Sequence, residues 1–230
     1  MDKGIHPDDE DEKEMNKDGR QLRKRRPILP NIASSAAGAR VVGYSPIYDH
    51  TKKTLKSMFQ NLLFGNQNVN RPSIILNDMF SIGECLPLHM NQKNNNYGHV
   101  TVQLAWPVSV HAITIAHIPE SQTMDYTTAP KEFTVTCIPP RSSKDQKKPA
   151  GNKNRKQEAI QFGEDRQSIL EYRRDGDSFQ TFVASPRNET VSGEKELNNT
   201  CSLVRFNFIS NYGNQRFTCL YHIEVHPDIE

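Results

Sequence analysis

The sequence predicts an all-β protein built as an antiparallel β-sandwich with short helical elements. Apolar and polar residues alternate along five short segments that are rich in β-branched and aromatic residues. Proline, asparagine and glycine separate these segments. A period of two places every second side chain on the same face of a strand. Short strands of this kind divided by turn residues are typical of a sandwich.

The five alternating segments each have one apolar face. Because a half-buried strand turns its apolar face to the core, we expect these side chains to fill the space between two sheets. In chain order the faces are Val100, Val102 and Leu104; Ile113, Ile115 and His117; Phe133, Val135 and Cys137; Val204, Phe206 and Phe208; and Phe217, Cys219, Tyr221, Ile223 and Val225.

One segment follows a different period. Its apolar residues recur at helical spacing, which predicts an amphipathic helix of two to three turns. These residues are Leu55, Met58, Phe59, Leu62 and Leu63.

Two polar segments delimit the predicted domain. Residues 1–30 carry an acidic and a basic block with almost no apolar side chains, so we expect a disordered arm or linker. Residues 139–156 begin with two prolines and contain five lysines, which is typical of a flexible surface loop. The folded domain is therefore predicted to span residues 31–230.

Composition and motifs favour a binding module over an enzyme. The net charge of +2 provides no excess positive charge for binding nucleic acid. No apolar run approaches the roughly 18–20 residues of a membrane span, and the N-terminus lacks the apolar stretch of a signal peptide. The four cysteines lack zinc-site spacing, and no nucleophile elbow, phosphate loop or HExxH motif is present.

A series of short motifs runs in order from Asn31 to His226. They are Ala36–Val42, Ser73–Leu76, Gly83–Cys85, Tyr97–Leu104, Val110–Pro119, Thr128–Phe133, Tyr172, Asp175–Gly176, Gln180–Phe182, Asn211–Gly213 and Phe217–His226. This order resembles that of the SUN domain family, and the last motif is the most specific of them.

The resemblance implies a discoidin-like SUN sandwich that acts in the perinuclear space of the nuclear envelope, on the lumenal side of the inner nuclear membrane. Such a domain captures the C-terminal tail of a KASH-domain protein and couples the nucleus to the cytoskeleton in the LINC complex. The family forms homotrimers through an upstream coiled coil, and residues 1–30 contain no heptads. We therefore expect the chain to be part of a longer protein, or to trimerise through the domain itself. Membrane attachment would come only from segments outside this chain.

The resemblance also implies where the KASH peptide binds. His117, Tyr221 and Thr128 can donate hydrogen bonds to the peptide's C-terminal carboxylate, whereas Phe217 can only pack. Residues 45–70 correspond to the flexible KASH lid, a hairpin that pairs with the peptide as an added strand. This expectation competes with the helical spacing noted above. The implied peptide-binding residues are His117, Thr128, Phe217, Tyr221, Ser45 and Tyr48.

The family's internal disulfide falls on Cys85 and Cys219 by position. Two buried thiols are the alternative. Cys137 continues an apolar face and is interpreted as a small core residue, and Cys201 has no assigned role.

The family's cation loop corresponds to the segment from Ile74 to Glu84. Backbone carbonyls would surround a monovalent K⁺ or Na⁺ ion there, since hard cations prefer oxygen ligands. The implied ligands are the backbones of Ile74, Asn77, Met79, Glu84 and Tyr221. No other cofactor is expected.

The chain departs from the family pattern at several positions. Leu86 follows the first disulfide cysteine where an aromatic residue is usual, and Tyr212 stands where tryptophan is frequent. Phe217 replaces a common tyrosine, so one hydroxyl is missing from the pocket. The position of a cysteine that bonds covalently to the partner is occupied by Tyr44 or Ser45.

Two glycosylation sequons begin at Asn188 and Asn198, and they matter only if the chain enters a secretory-type lumen. Two other functions remain open: a discoidin-like carbohydrate- or ligand-binding sandwich, and a SUN-like folding or quality-control protein of the endoplasmic reticulum. An enzyme on a sandwich scaffold is a more remote alternative.

Overall fold

The computed structural model describes residues 29–48, 71–90, 97–140, 158–163, 166–185 and 200–228. Regular structure within these ranges consists of β-strands and three short 3-10 helices, which confirms the predicted all-β class. No helix among these residues is long and apolar enough to cross a membrane.

The strands are short and are joined mostly by irregular segments. They are β1 (Arg40–Tyr44), β2 (Leu86–His89), β3 (His99–Val108), β4 (Val110–Ala116), β5 (Glu132–Ile138), β6 (Glu158–Ala159), β7 (Ile169–Glu171), β8 (Phe179–Val183), β9 (Cys201–Phe208), β10 (Phe217–Leu220) and β11 (His222–Pro227). The 3-10 helices span Pro72–Leu76, Glu120–Gln122 and Tyr126–Thr128.

The larger sheet in the described part of the chain has six antiparallel strands. Its order is β1-β3-β9-β5-β6, and β7 also pairs with β5. Val102 lies opposite Val204, and Val135 lies opposite Phe206, so the apolar faces of three strands align on one side of the sheet. All four side chains are buried, as the alternation predicts.

A three-stranded sheet of order β11-β4-β8 forms the opposite layer. Ile115 and Ile223 face each other across β4 and β11 and belong to the same core cluster as Val102 and Phe206. Burying a side chain of this size contributes about 1.5–3 kcal/mol. The two layers therefore form the predicted sandwich around one shared core.

The last predicted strand is divided between two sheets. Residues of β10 pair with β2, whereas β11 pairs with β4, and Tyr221 lies between them. Leu220, Tyr221 and His222 are all buried, so the alternation breaks here. The expectation of one continuous face from Phe217 to Val225 was wrong, because the chain changes layers and is covered from both sides.

Residues 30–32 lie against β11 and link the two ends of the described domain. The Ile32 N–H donates to the Val225 carbonyl at 3.0 Å, and the Asn31 side chain accepts from the Val225 N–H at 3.2 Å. His226 Nδ1 bonds to the Pro30 carbonyl at 3.0 Å. The last strand is thus hydrogen-bonded to residues almost 200 positions earlier in the chain.

Two disulfides connect the four cysteines. Cys85 and Cys219 are bonded, with Cα atoms 5.5 Å apart, which confirms the pairing that the family resemblance implied. Cys137 and Cys201 form a second disulfide with Cα atoms 5.2 Å apart. Cys137 is buried in the core, as interpreted, but it is also paired, and Cys201 gains a role. Their pairing follows from the adjacency of β5 and β9 in the sheet, which the sequence pattern did not reveal.

Several expectations lie outside the described residues. They are the helical spacing at 55–63, residues 49–70 of the lid region, residues 141–156 of the lysine-rich segment, residues 1–28 of the arm, and the sequons at Asn188 and Asn198.

Replacing Cys137 and Cys201 together by alanine should lower the free energy of unfolding by up to about 4 kcal/mol. The bond closes a loop of 64 residues, and its loss restores conformational freedom to the unfolded chain. Guanidinium unfolding without reductant measures the change, with the Cys85→Ala/Cys219→Ala pair as the matched variant. Recovery of free thiols at Cys137 and Cys201 from folded, lumen-expressed protein would contradict the pairing.

Candidate functional site

His117 lies directly after β4, at the end of the strand nearest the Tyr221 crossing. Its backbone N–H donates to the Ser178 carbonyl at 3.0 Å, which holds this residue beside β8. The side chain is only 1% exposed. The rings of Tyr126 and Tyr221 contact the imidazole edge-on, with centroids 5.3 and 4.8 Å away. The histidine is thus enclosed by aromatic residues.

The hydrogen bonding of His117 assigns a role to each ring nitrogen. Nδ1 lies 2.9 Å from the Ile118 carbonyl oxygen, and a carbonyl can only accept, so Nδ1 carries the proton. Nε2 is buried and has no hydrogen-bond partner among the described residues. Burial lowers the pKa of His117, and the bond to Ile118 opposes this effect. The free nitrogen of the ring is therefore a lone-pair acceptor.

Tyr221 occupies the crossing between β10 and β11, and its ring is 4% exposed. The hydroxyl oxygen accepts from the Gly83 N–H at 3.3 Å. Gly83 has a φ of +85°, a backbone conformation that favours glycine, so the turn at this residue can point its N–H at the phenol. The hydroxyl donates to no other group within the described residues, and its hydrogen stays available to a ligand.

Thr128 belongs to the short 3-10 helix Tyr126–Thr128, which Asp125 caps. The Asp125 side chain accepts from the Thr127 N–H at 3.0 Å, and the Thr128 hydroxyl donates to the Asp125 carbonyl at 3.0 Å. Asn214 holds the same turn by donating its N–H to the Thr127 carbonyl at 3.0 Å. The Thr128 hydrogen is thus already used, although the oxygen can still accept.

Phe217 opens β10 and stacks on Tyr48. Their ring centroids are 5.0 Å apart with an interplanar angle of 18°. Tyr48 is placed by a backbone bond from its N–H to the Pro87 carbonyl at 2.7 Å, and Ile47 bridges to Leu88. Residues 46–48 therefore run along β2 and bring an aromatic ring onto Phe217.

The Ser45 side chain bonds to His99 rather than to any other predicted peptide-binding residue within the described part of the chain. It is buried, and its hydroxyl is bonded at 2.9 Å to both the ring Nδ1 and the backbone N–H of His99. These bonds hold the end of β1 against the start of β3. Its role in peptide binding stays a prediction.

A small apolar cluster joins Tyr221 to the first disulfide. Cys85, Cys219, Ile118 and Tyr221 are buried together, and Phe80 and Phe217 pack against them. The disulfide ties the start of β2 to β10, so the two strands that lead into the crossing cannot separate. His117, Phe217 and Tyr221 thus lie around this crossing, and Thr128 belongs to the 3-10 helix whose Tyr126 packs on His117.

Four of the five implied cation ligands lie in one loop, and the fifth is Tyr221. Ile74 ends its turn by accepting from the Asn77 N–H at 3.2 Å, and Glu84 donates its N–H to the Ser81 carbonyl at 3.1 Å. The hydroxyl of the Tyr221 side chain contacts this loop at the Gly83 N–H. A carbonyl keeps a second lone pair when it accepts one bond, so these bonds are compatible with an ion. The ligand set stays a prediction.

Sequence reasoning missed the aromatic neighbours of His117. Tyr126 lies between the imidazole and Tyr212, whose ring centroid is 5.5 Å away, and the Arg174 guanidinium lies 5.4 Å from the Tyr126 centroid. Tyr172 donates its hydroxyl to the Ser178 carbonyl at 2.9 Å. None of these residues belongs to an alternating face, and their contribution depends on which loops meet at this end of the sandwich.

A charged surface depression of about 450 Å³ is lined in part by Arg174, whose guanidinium lies 5.4 Å from the Tyr126 ring centroid. Arg174 pairs with Glu120 there, and Arg173 pairs with Asp175. The pair with Glu120 orients the Arg174 guanidinium beside the Tyr126 ring. Arg174 thus connects this depression to the Tyr126 ring of the candidate site. Its lining residues are Glu120, Glu171, Arg173, Arg174, Asp175 and Tyr212.

Comparison with known proteins identifies similar sequences over most of the chain. The family described as Sad1 / UNC-like C-terminal matches residues 65–228. SUN domain-containing protein 3 of Macaca fascicularis is 28% identical over 211 residues, which cover 90% of this chain and 49% of that protein. SUN domain-containing protein 1 of Homo sapiens is 28% identical over 181 residues, which cover 77% of this chain and 19% of that protein. The chain thus spans about half the length, or less, of these relatives.

Solved structures show the same fold at low sequence identity. A fragment of a protein titled a putative chitobiase from Bacteroides thetaiotaomicron has a TM-score of 0.51 and 8% identity, with 91% of this chain and 98% of that chain covered. Allantoicase from Saccharomyces cerevisiae has a TM-score of 0.50 and 11% identity, with 88% of this chain and 44% of that chain covered. At these identities the similarity concerns the sandwich alone.

Tyr126→Phe should reduce the loss of stability at alkaline pH. Burial, with smaller contributions from Tyr212 and Glu120, raises the pKa of Tyr126 to about 12. An unfolded tyrosine titrates near pH ~10, so between about pH 10 and 12 the unfolded chain releases a proton that the folded chain keeps. The free energy of unfolding then falls as the pH rises. Guanidinium unfolding at several pH values should show a shallower fall for the variant, and equal slopes would contradict the assignment.

Proposed function

Since this chain belongs to the Sad1/UNC-like C-terminal family, we propose that it is a binding module for the free C-terminal tail of a KASH-domain protein. The tail inserts its terminal carboxylate beside Tyr221, and the preceding residues run along the lid. Binding is non-covalent and involves no catalytic step. In this function the domain forms the lumenal part of a LINC complex, which couples the nucleus to the cytoskeleton.

The observation that carries the proposal is the hydroxyl of the buried residue Tyr221, whose hydrogen is not donated within the described residues. A buried donor without an acceptor is rare in folded proteins and is expected to find one in a ligand. Hydrogen bonds to a charged acceptor are stronger than neutral ones. A terminal carboxylate therefore suits this position, and Phe217 and the disulfide supply an apolar surface beside it.

In this proposal Tyr221 is the main hydrogen-bond donor to the carboxylate, because the other candidates already donate their hydrogens within the domain. The Thr128 hydrogen goes to the Asp125 carbonyl, and the His117 Nδ1 hydrogen goes to the Ile118 carbonyl. Thr128 would contribute only if its hydroxyl rotated away from Asp125. Phe217 lacks a hydroxyl and contributes apolar contact.

Backbone pairing before the lid supports recognition by strand addition. Tyr48 bonds to Pro87, and the His89 N–H donates to the Pro46 carbonyl at 2.8 Å, so residues 46–48 extend the sheet of β2 and β10. An extended peptide that joins such a sheet gains main-chain hydrogen bonds regardless of its sequence. In the proposal, residues 45–70 form the lid and continue this pairing along the peptide.

We place the domain in the lumen of the nuclear envelope, on the perinuclear side of the inner nuclear membrane. The two disulfides support an oxidising compartment, since such bonds are rare where thiols are kept reduced. Assembly into a homotrimer belongs to the same proposal. A closed three-fold ring would present three equivalent peptide sites.

Tyr221→Phe should weaken binding of a synthetic KASH C-terminal peptide by about ten-fold or more. Removing a hydrogen bond to a buried charged acceptor costs about 1.5–3 kcal/mol, and 1.4 kcal/mol is a factor of ten. Amidating the peptide's C-terminus should weaken binding at least as much, because it removes the anionic acceptor. Calorimetric titration of both peptides against both proteins measures these effects.

Phe217→Tyr provides the matched control, since it adds a phenol hydroxyl at the neighbouring pocket position. This variant should bind the free-acid peptide as well as, or better than, the unmodified chain. Equal affinity of the amidated and free-acid peptides would show that Tyr221 does not hold a carboxylate.

The oligomeric state of the chain should depend on the peptide. The chain alone should be a monomer or a weak trimer, and a saturating KASH peptide should shift it toward the trimer, because a ligand that binds only the assembled form stabilises that form. Multi-angle light scattering with and without peptide measures the mass. A tight dimer under either condition would contradict a three-fold assembly.

A further inference from the structure

The outer face of the six-stranded sheet carries a polar cluster that the proposed function does not use. Along β9, buried core residues alternate with Arg205 and Asn207, so these two side chains lie on the face away from the core. The strand register places His99 of β3 and Thr134 of β5 on either side of Asn207. Three neighbouring strands therefore bring an arginine, a histidine, an asparagine and a threonine together on one surface.

Hydrogen bonds hold the Arg205 guanidinium beside Asn207. The Nε of Arg205 donates to Asn207 Oδ1 at 2.8 Å, and the Asn207 amide donates to the Thr134 hydroxyl at 3.5 Å. All three residues are half-buried. The Nη atoms of Arg205 have no hydrogen bond or ion pair among the described residues. The cluster thus fixes Nε and leaves the fork of the guanidinium unpaired.

The ring of His99 adds a hydrogen-bond donor to the cluster. The Ser45 hydroxyl accepts from the His99 backbone N–H at 2.9 Å. Within the described residues the only acceptor that this hydroxyl contacts is His99 Nδ1, also at 2.9 Å, so Nδ1 accepts the serine hydrogen. Burial and the charge of Arg205 lower the pKa of His99. At neutral pH the ring is therefore uncharged, with its proton on Nε2.

Solvent reaches the unpaired nitrogens of this cluster. Neither the Arg205 Nη atoms nor His99 Nε2 belongs to the buried polar atoms that lack a partner in the described part of the chain. Glu132, two positions before Thr134 on β5, already accepts from the Ser210 hydroxyl at 2.7 Å. A half-buried guanidinium thus meets solvent without a carboxylate paired to it among the described residues. Such a group favours an anionic ligand from outside the chain.

We propose that this cluster, the Arg205 site, binds a tetrahedral oxyanion of the phosphate or sulfate class. Its available groups are all donors: the Nη atoms of Arg205, Nε2 of His99 and the hydroxyl of Thr134. The two side-chain acceptors beside them, Asn207 Oδ1 and Ser45 Oγ, already accept hydrogen bonds. Donors from three strands suit a ligand with more than two oxygens, whereas the guanidinium fork alone would satisfy a planar carboxylate.

The Arg205 site is separate from the peptide site of the proposed function. Its residues belong to β3, β5 and β9, whereas Tyr221 lies between β10 and β11. A free anion and a monoester on a larger molecule present the same oxygens to these donors. Binding at the Arg205 site can therefore be measured without a KASH peptide, and its success or failure is independent of the carboxylate pocket.

Proton and nitrogen-15 NMR of the unmodified chain, at neutral pH and constant ionic strength, tests the site. The separate titrants are inorganic phosphate, inorganic sulfate, acetate and glycerol 3-phosphate. Phosphate and sulfate should shift the His99 ring signals and the β9 amides in a saturable way. Acetate should bind about ten-fold more weakly, because it offers fewer oxygens to the donors. Glycerol 3-phosphate distinguishes the sources: binding equal to that of phosphate supports a monoester ligand, and no binding supports the free ion.

Three variants assign the binding to named groups. Arg205→Gln should abolish the saturable shifts, and Thr134→Val should weaken phosphate binding by about three-fold or more, because it removes one donor. The matched control is Arg40→Gln. Arg40 is exposed on the same face, opposite Gln103, so this variant removes one positive charge from the sheet surface but leaves the cluster intact. Its phosphate affinity should stay within about two-fold of the unmodified chain.

Three results would overturn the proposal: no saturable shift with phosphate or sulfate, acetate binding as tightly as phosphate, or an equal loss of affinity in Arg40→Gln and Arg205→Gln. The last result would mean that only the general surface charge attracts the anion. If Arg205→Gln does not fold, Thr134→Val decides the question, since an unchanged phosphate affinity in that variant would also overturn the site.

Discussion

Tyr221 lies where the chain leaves one sheet and enters another, and the candidate site depends on this crossing. The four residues before it pair with β2, and the six after it pair with β4. The Cys85–Cys219 disulfide prevents β2 and β10 from separating. The crossing is covered on both sides, so the Tyr221 ring is buried. Its hydroxyl accepts a hydrogen bond from the Gly83 N–H. His117, at the end of the strand beside β11, is brought against the ring by the same pairing.

The hydrogen bonds around the crossing decide which groups are free to bind a ligand. Tyr221, Thr128 and His117 can all donate in principle, yet local carbonyls take the hydrogens of Thr128 and of His117 Nδ1. Buried carbonyls need such partners, so these bonds contribute to the fold before they serve any ligand. Among the described residues, the Tyr221 O–H and the Nε2 of His117 are left without a partner for donation and acceptance respectively.

The second disulfide shows how the scaffold behind the site is stabilised. Cys137 and Cys201 are buried in the six-stranded sheet, where β5 and β9 are neighbours. On the opposite layer, residues 30–32 bond to β11, whose His226 also bonds to Thr114 at 2.8 Å. Distant parts of the chain are thus joined on both layers. The loops that carry Tyr126 and Tyr48 are anchored on a framework whose strands cannot slide.

The sequence by itself determined the fold class, most of the core and the family. Alternation along a strand is a local property of the extended backbone, so Val102, Ile115 and Val135 could be assigned to the core without knowledge of their partners. The order of the motifs identified the first disulfide, although no single spacing required it. The tertiary structure decided everything that depends on which strands become neighbours. The division of the last strand at Tyr221, the Cys137–Cys201 bond and the enclosure of His117 by Tyr126 arise from contacts between segments far apart in the chain. Hydrogen bonding in the folded chain also decided the role of each nitrogen of His117, because that role follows from the carbonyl that the ring contacts.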